Sequence, residues 1–132
     1  MTIFCTYCSA DKEESKNKLP AIQRYKSDRI KSVYNAAMTL GVKFLILSGK
    51  HGILKSDEQI HYYDQILKSS KVQKHSIIVA NQLNALGVKD IIFFYGSTLE
   101  DNNIQPYLNC MKLVAKKTGI EIKFVCVKIK SN

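Results

Sequence analysis

The sequence predicts an α/β protein, a single-domain three-layer sandwich built on a mainly parallel, four-stranded sheet. Two observations carry that class. An amphipathic stretch, a glycine and an apolar run follow one another three times along the chain. The apolar runs are rich in β-branched and aromatic residues and are only four to six residues long, as expected of strands covered on both faces.

The elements follow in order. Ile3 to Tyr7 reads as the first strand. Val33 to Leu40 forms a helix ending at Gly41 and leads into a strand from Val42 to Leu47. Ile77 to Leu86 repeats the unit, with Gly87 and a strand from Val88 to Phe94, and Tyr107 to Thr118 repeats it again, with Gly119 and a strand from Ile120 to Val127. Glycine just past a helix takes the left-handed cap without steric cost. The alternation β-α-β-α-β-α-β predicts right-handed crossovers that place helices on both faces of a Rossmann-like sheet. The last strand alternates lysines with apolar residues from Lys123 to Lys130, which marks a partly exposed edge. No linker or low-complexity tract divides residues 1–132, so the chain reads as one domain. Asp11 to Pro20 and Ser48 to Ser56 stand outside the alternation and read as loops.

The 132 residues hold 45% apolar and 23% charged side chains, which excludes a disordered polyelectrolyte. No apolar run is long enough to cross a bilayer, and the strand-like start lacks the basic region of a signal peptide. A cytoplasmic protein without a membrane partner is the expectation. Twenty Lys and Arg against eleven Asp and Glu give +9. That excess suits a polyanion such as nucleic acid, or equally a lysine-rich solvated surface. With only Arg24 and Arg29, bidentate reading of bases is disfavoured.

Cys5 and Cys8 form a C-x-x-C, but three residues along a strand reverse the side-chain direction, so neither a redox pair nor a metal site is expected there. Cys5, Cys110 and Cys126 read as buried free thiols. His51, His61 and His75 lack ligand spacing, so no metal or cofactor is called for.

In open parallel sheets ligands bind beyond the carboxyl ends of the strands. The predicted order brings Cys8-Ser9, Ser48-Gly49-Lys50-His51-Gly52 and Tyr95-Gly96-Ser97 to that edge. The glycines allow backbone N–H groups close to a ligand and Lys50 adds a charge for phosphate or carboxylate, though tight-turn geometry alone explains them as well. Cys8 or Ser9, near Lys12, is a candidate nucleophile, or Ser9 simply caps the polar loop. Tyr63 and Asp64 offer a ring to stack a nucleobase and a carboxylate to act as base, or a half-buried tyrosine and a helix cap. Ser9, Ser48, Gly49 and Asp64 are expected to line one pocket, with Lys12 and Lys50 facing it and Gly96-Ser97 closing its far side.

Two motifs carry a resemblance. Leu47-Ser48-Gly49-Lys50-His51-Gly52-Ile53-Leu54, then Asp57, Ile60, Tyr63-Asp64 and Leu67, resembles the hallmark of the YaaA-like domain family. Cys8-Ser9, Lys12, Leu19-Pro20-Ala21, Tyr25 and Ser27 are similar to the opening motif of that group, and to the Cys-Ser-x-x-Lys of the archaeosine-synthase core domain. His51 stands where tyrosine is common, and Ser56 and Tyr62 replace prolines. The resemblance implies a nucleotide, modified nucleobase or nucleic acid as partner, through DNA association in one branch and 7-deazaguanine modification of tRNA in another. Tyr25 joins the binding residues on the same ground.

Two functions follow as expectations. One is a nucleobase- or nucleotide-directed enzyme of glycosidase or group-transfer type, with Cys8, Ser9 and Asp64 catalytic. The other is a non-catalytic, basic nucleic-acid-binding module. Nothing in the pattern fixes an oligomeric state.

Overall fold

In a computed structural model, which describes residues 1–96 and 103–128, Thr2–Tyr7 forms the central strand β1. The polar segment after it is more ordered than a loop. It carries a two-residue strand, β2 (Leu19–Pro20), a single-turn helix, α1 (Ala21–Arg24), and an isolated bridge between Lys12 and Tyr25. Arg24 ties the segment down: its buried guanidinium donates to the carbonyls of Glu13, of Ser15 at 3.1 Å, of Asn17 at 2.6 Å and of Ile60 at 3.1 Å.

Helix α2 (Asp28–Leu40) is capped by Ser27, whose Oγ accepts from Ile30 N–H at 3.2 Å, and ends at Gly41. Then come β3 (Phe44–Ser48), β4 (Gly52–Lys55), β5 (Gln59–Ile60), a 3-10 turn (Ser69–Lys71), α3 (Val72–Ala85), β6 (Asp90–Tyr95), α4 (Gln105–Thr118) and β7 (Glu121–Cys126). The main sheet runs β4-β3-β1-β6-β7, and β2 pairs antiparallel with β5 beside it. Helix α2 packs on β1 and β3, while α3 and α4 pack on each other, α3 also on β4 and α4 on β7.

The main sheet therefore has five strands, not four. The extra one is β4, antiparallel to β3, with Ser48 opposite Gly52 and Leu47 opposite Ile53. Ser48 to Ser56 is a hairpin rather than a loop. Gly52 has φ +75° and closes a three-residue connection, and its missing Cβ leaves room for Gln82 Oε1, which would lie 2.2 Å away. Gln82 accepts from Ile53 N–H at 2.7 Å and donates to the His51 carbonyl at 3.0 Å, so α3 holds the hairpin shut. Ile53 and Leu54 then complete the core.

Strand β7 is the other edge, in keeping with its alternating sequence. Its position corrects the reading of Cys126, which is exposed, whereas Cys5, Cys8 and Cys110 are buried; all four are free thiols. Burial pushes the Cys110 thiol up to about 12. No helix among the described residues is long and apolar enough to cross a membrane.

Candidate functional site

Strands β1 and β3 are neighbours and parallel, so their carboxyl ends emerge side by side. Cys8 N–H donates to the Leu47 carbonyl at 2.9 Å, which sets Cys8-Ser9 beside Ser48. The hairpin turn at residues 49–51 and the chain leading to Tyr63 cover the same edge.

Ser48 is fully buried and organises the turn. Its Oγ accepts from Lys50 N–H at 3.1 Å and His51 N–H at 3.0 Å. With two bonds accepted, its own proton remains for the Tyr63 hydroxyl at 2.9 Å, and Tyr63 OH lies 2.6 Å from Tyr25 OH. His75 Nε2, from the first turn of α3, sits 2.8 Å from the Ser48 carbonyl oxygen. Burial raises the Tyr25 and Tyr63 phenols above their usual range, so both stay protonated. These bonds correct one expectation. The N–H groups of Lys50 and His51 do not await an anion, because the Ser48 side chain already takes them.

The cations are arranged around this hydroxyl chain. Lys12 is 5% exposed, with Nζ 4.5 Å from the Tyr63 ring centre and 6.0 Å from that of Tyr25. Its ammonium also donates to the Ala10 carbonyl at 3.4 Å. Lys50 Nζ approaches the same Tyr63 ring to 5.6 Å, and His51 meets that ring edge-on at 5.3 Å. Burial lowers the Lys12 pKa, opposed by the negative potential of Cys8, Asp64 and Asp11. His51 is likewise held below its usual range, by burial and then by Lys50, with Glu58 opposing. Tyr63 thus offers no open face for a base to stack on; its ring is a seat for two ammonium groups.

Other expected residues fall nearby in different roles. Ser9 is half-buried and its Oγ donates to the Asp11 carbonyl at 2.7 Å. Asp64 is exposed and caps no helix, since α3 begins at Val72. Gly49 is glycine because a Cβ would lie 2.8 Å from Leu67 N and 2.9 Å from Tyr107 OH. Gly96 is buried, and its N–H donates to Tyr7 OH at 3.3 Å. The Tyr7 ring, stacked on Tyr107 at 5.4 Å, fills the space beneath. Ser97 lies outside the described residues.

Sequence reasoning passed over Tyr107, Arg29, His75 and Gln82. Tyr107 OH accepts from Leu67 N–H at 3.1 Å and from the Cys8 thiol at 3.5 Å. Arg29 donates to the Tyr7 carbonyl at 2.8 Å and lies 3.6 Å from the Tyr7 ring centre. Tyr107 and His75 both open helices that start at the carboxyl edge, and that placement was the available signal.

Beside the hydroxyl chain a cavity of about 320 Å³ opens between Lys18, Lys50, His51, His61 and Gln82. His51 Nε2 is buried and lacks a partner among the described residues. A more apolar cavity of about 410 Å³ lies at the amino end of the strands, between Ile3, Phe44, Leu45 and Val88, without a histidine or carboxylate.

No curated protein and no solved structure matches the chain. Residues 3–118, which include every side chain of this site, match a family of unknown function, DUF6884. The chain therefore belongs to the DUF6884 family.

Proposed function

We propose that the carboxyl edge binds a nucleotide or modified nucleobase and acts on it by glycosidase or group-transfer chemistry. The observation that carries the proposal is the convergence of Lys12 and Lys50 on one tyrosine ring. The ion pair found among the described residues joins Lys26 to Glu13, the chain neighbours of Tyr25 and Lys12, and leaves both ammonium groups without a bound carboxylate. Lys12 is buried and Lys50 exposed beside the same ring, and a phosphate that reaches both ammonium groups neutralises the two charges together. Phosphate is the natural occupant.

The remaining groups have matching roles. Cys8 or Ser9, at the end of β1, supplies the nucleophile, and Asp64 takes its proton. In the glycosidase form the nucleophile bonds to the anomeric carbon as the C–N bond breaks, and the electron pair leaves with the base, which takes the proton held by Asp64. Water then displaces the nucleophile from the sugar and restores its proton. His51 Nε2, without a partner among the described residues, suits a polar edge of the base. The likeness of the Cys8-Ser9, Lys12 and Ser48–Gly52 motifs to the YaaA-like group and to the archaeosine-synthase core supports the same partner class. Four free thiols fit a reducing, cytoplasmic setting.

The test combines binding and turnover. Nucleoside monophosphates, nucleosides and 7-deazaguanine bases are added to the purified chain, thermal midpoints are followed, and products are sought by mass spectrometry. A nucleotide-dependent rise in Tm that Lys12→Met and Lys50→Met remove, with turnover lost in Ser9→Ala, Cys8→Ala or Asp64→Ala, is the expected result. No shift and no product with any of these ligands removes the proposal.

A further inference from the structure

Two stretches of the chain carry lysines and no carboxylate. Residues 65–89 hold Lys68, Lys71, Lys74 and Lys89, and residues 102–120 hold Lys112, Lys116 and Lys117, with no Asp or Glu in either. The fold brings the two stretches together, because α3 and α4 pack side by side. Between them runs a groove of about 410 Å³ whose exposed lining is Ser69, Gln73, Asn109, Lys112 and Lys116. Lys112 and Lys116 are one helical turn apart, ~6 Å along the axis, and stand on the same wall.

The groove begins at the functional edge. His75 in α3 touches the Ser48 carbonyl and Tyr107 in α4 touches Cys8, so both helices start beside the Lys12–Lys50 seat and run away from it. Both arginines are buried on backbone carbonyls, so the basic surface is lysine alone. Lysines, a hydroxyl and amides are groups that hold phosphate and sugar oxygens.

We infer that the α3–α4 groove is a track for the sugar–phosphate backbone of a nucleic acid whose reacting nucleotide lies at the Lys12–Lys50 site. The inference rests on the nucleotide reading of that site and makes its substrate a polymer. A lipid surface fits less well, since the groove offers acyl chains only the half-buried Leu113 and the buried Val72 among its polar lining.

Fluorescence anisotropy of a labelled 20-nucleotide single strand, at 50, 100 and 200 mM NaCl, tests it. The double variant Lys112→Glu, Lys116→Glu should bind at least ~10-fold more weakly at 100 mM and flatten the log–log salt slope by about 1.4, two lost phosphate contacts at ~0.7 each. Lys16→Glu with Lys31→Glu, on the β1–β2 segment and α2, makes the same change in net charge and should stay within about twofold of the wild type. The neutral pair Lys112→Gln, Lys116→Gln, checked for folding by circular dichroism, should fall between. Wild-type affinity in the groove variants, or equal losses in both charge-reversal pairs, overturns the track. So does wild-type binding to phosphatidylserine vesicles without salt-dependent binding to the oligonucleotide. The two proposals fail separately. A mononucleotide Tm shift with an unaffected groove variant sinks the track alone, and groove-dependent oligonucleotide binding without any mononucleotide shift sinks the site reading alone.

Discussion

The Ser48 hydroxyl lies 2.9 Å from the Tyr63 hydroxyl, fifteen residues on, and accepts the N–H groups of Lys50 and His51 from within its own turn. One buried oxygen thus joins the hairpin to the tyrosine seat beneath Lys12. Ser48→Ala leaves two N–H groups and a phenol short of a partner. It should lower stability by about 1–3 kcal/mol, the usual effect of a buried group left unsatisfied. Urea unfolding checks this, with an unchanged m-value expected if the fold is retained.

Gly52 and Gln82 make a second joint. Gly52→Ala faces a positive φ and a side-chain oxygen 2.2 Å from the new Cβ. The expected loss is about 1–2 kcal/mol from backbone strain alone, with more from displacing Gln82. Gly52→Ala combined with Gln82→Ala should not restore the wild-type midpoint, since the strain persists and Ile53 N–H loses its acceptor. Full recovery in thermal melts would show that crowding, not φ, makes the position glycine.

How far the sequence could be read follows from the same joint. The helix–glycine–strand units were legible because their periodicity is local, and β1, β3, β6 and β7 stand where the pattern set them. Strand β4 was not: Ile53-Leu54 is too short to show a period, and its pairing depends on a Gln82 side chain 29 residues away. The gathering of Cys8, Lys12, Ser48 and Lys50 at one edge was readable from topology. Which donors are spent internally was not, because Ser48 Oγ accepting two N–H bonds and Tyr107 reaching back to Leu67 are tertiary facts. Tyr63 shows the limit most plainly. A tyrosine beside an aspartate reads as a stacking platform until Lys12 is found lying across it.

Thiol chemistry gives an independent check on burial. Cys126 is exposed on an edge strand, and Cys5, Cys8 and Cys110 are buried. Native protein should therefore release one equivalent of thionitrobenzoate rapidly and the rest only on unfolding. Cys126→Ser should abolish the fast phase. A fast thiol persisting in Cys126→Ser would show that one of Cys5, Cys8 and Cys110 reaches solvent, against their burial.

Lys12 sets function against stability. Its ammonium is nearly out of water, with one long bond to the Ala10 carbonyl and the Tyr63 ring as its neighbours. Methionine has a similar length without the charge, and replacing a buried ion by an apolar side chain of similar volume is often neutral or stabilising. Lys12→Met should leave the thermal midpoint at pH 7 unchanged or raise it by about 3 °C, while nucleotide no longer stabilises the variant. The pH dependence identifies the charge as the cause. Because the folded-state pKa of Lys12 is depressed below 10.5, the folded chain releases its proton first as pH rises. The penalty is complete below the folded-state pKa, fades between that value and 10.5, and is absent above it. The advantage of Lys12→Met should therefore be greatest near neutrality and shrink through the alkaline range. Ionisation of tyrosines in the unfolded chain destabilises both proteins alike near pH 10 and drops out of their difference. An advantage that grows with pH, or a variant markedly less stable than wild type at pH 7, would show that Lys12 contributes packing or attraction to Asp64 that outweighs its desolvation.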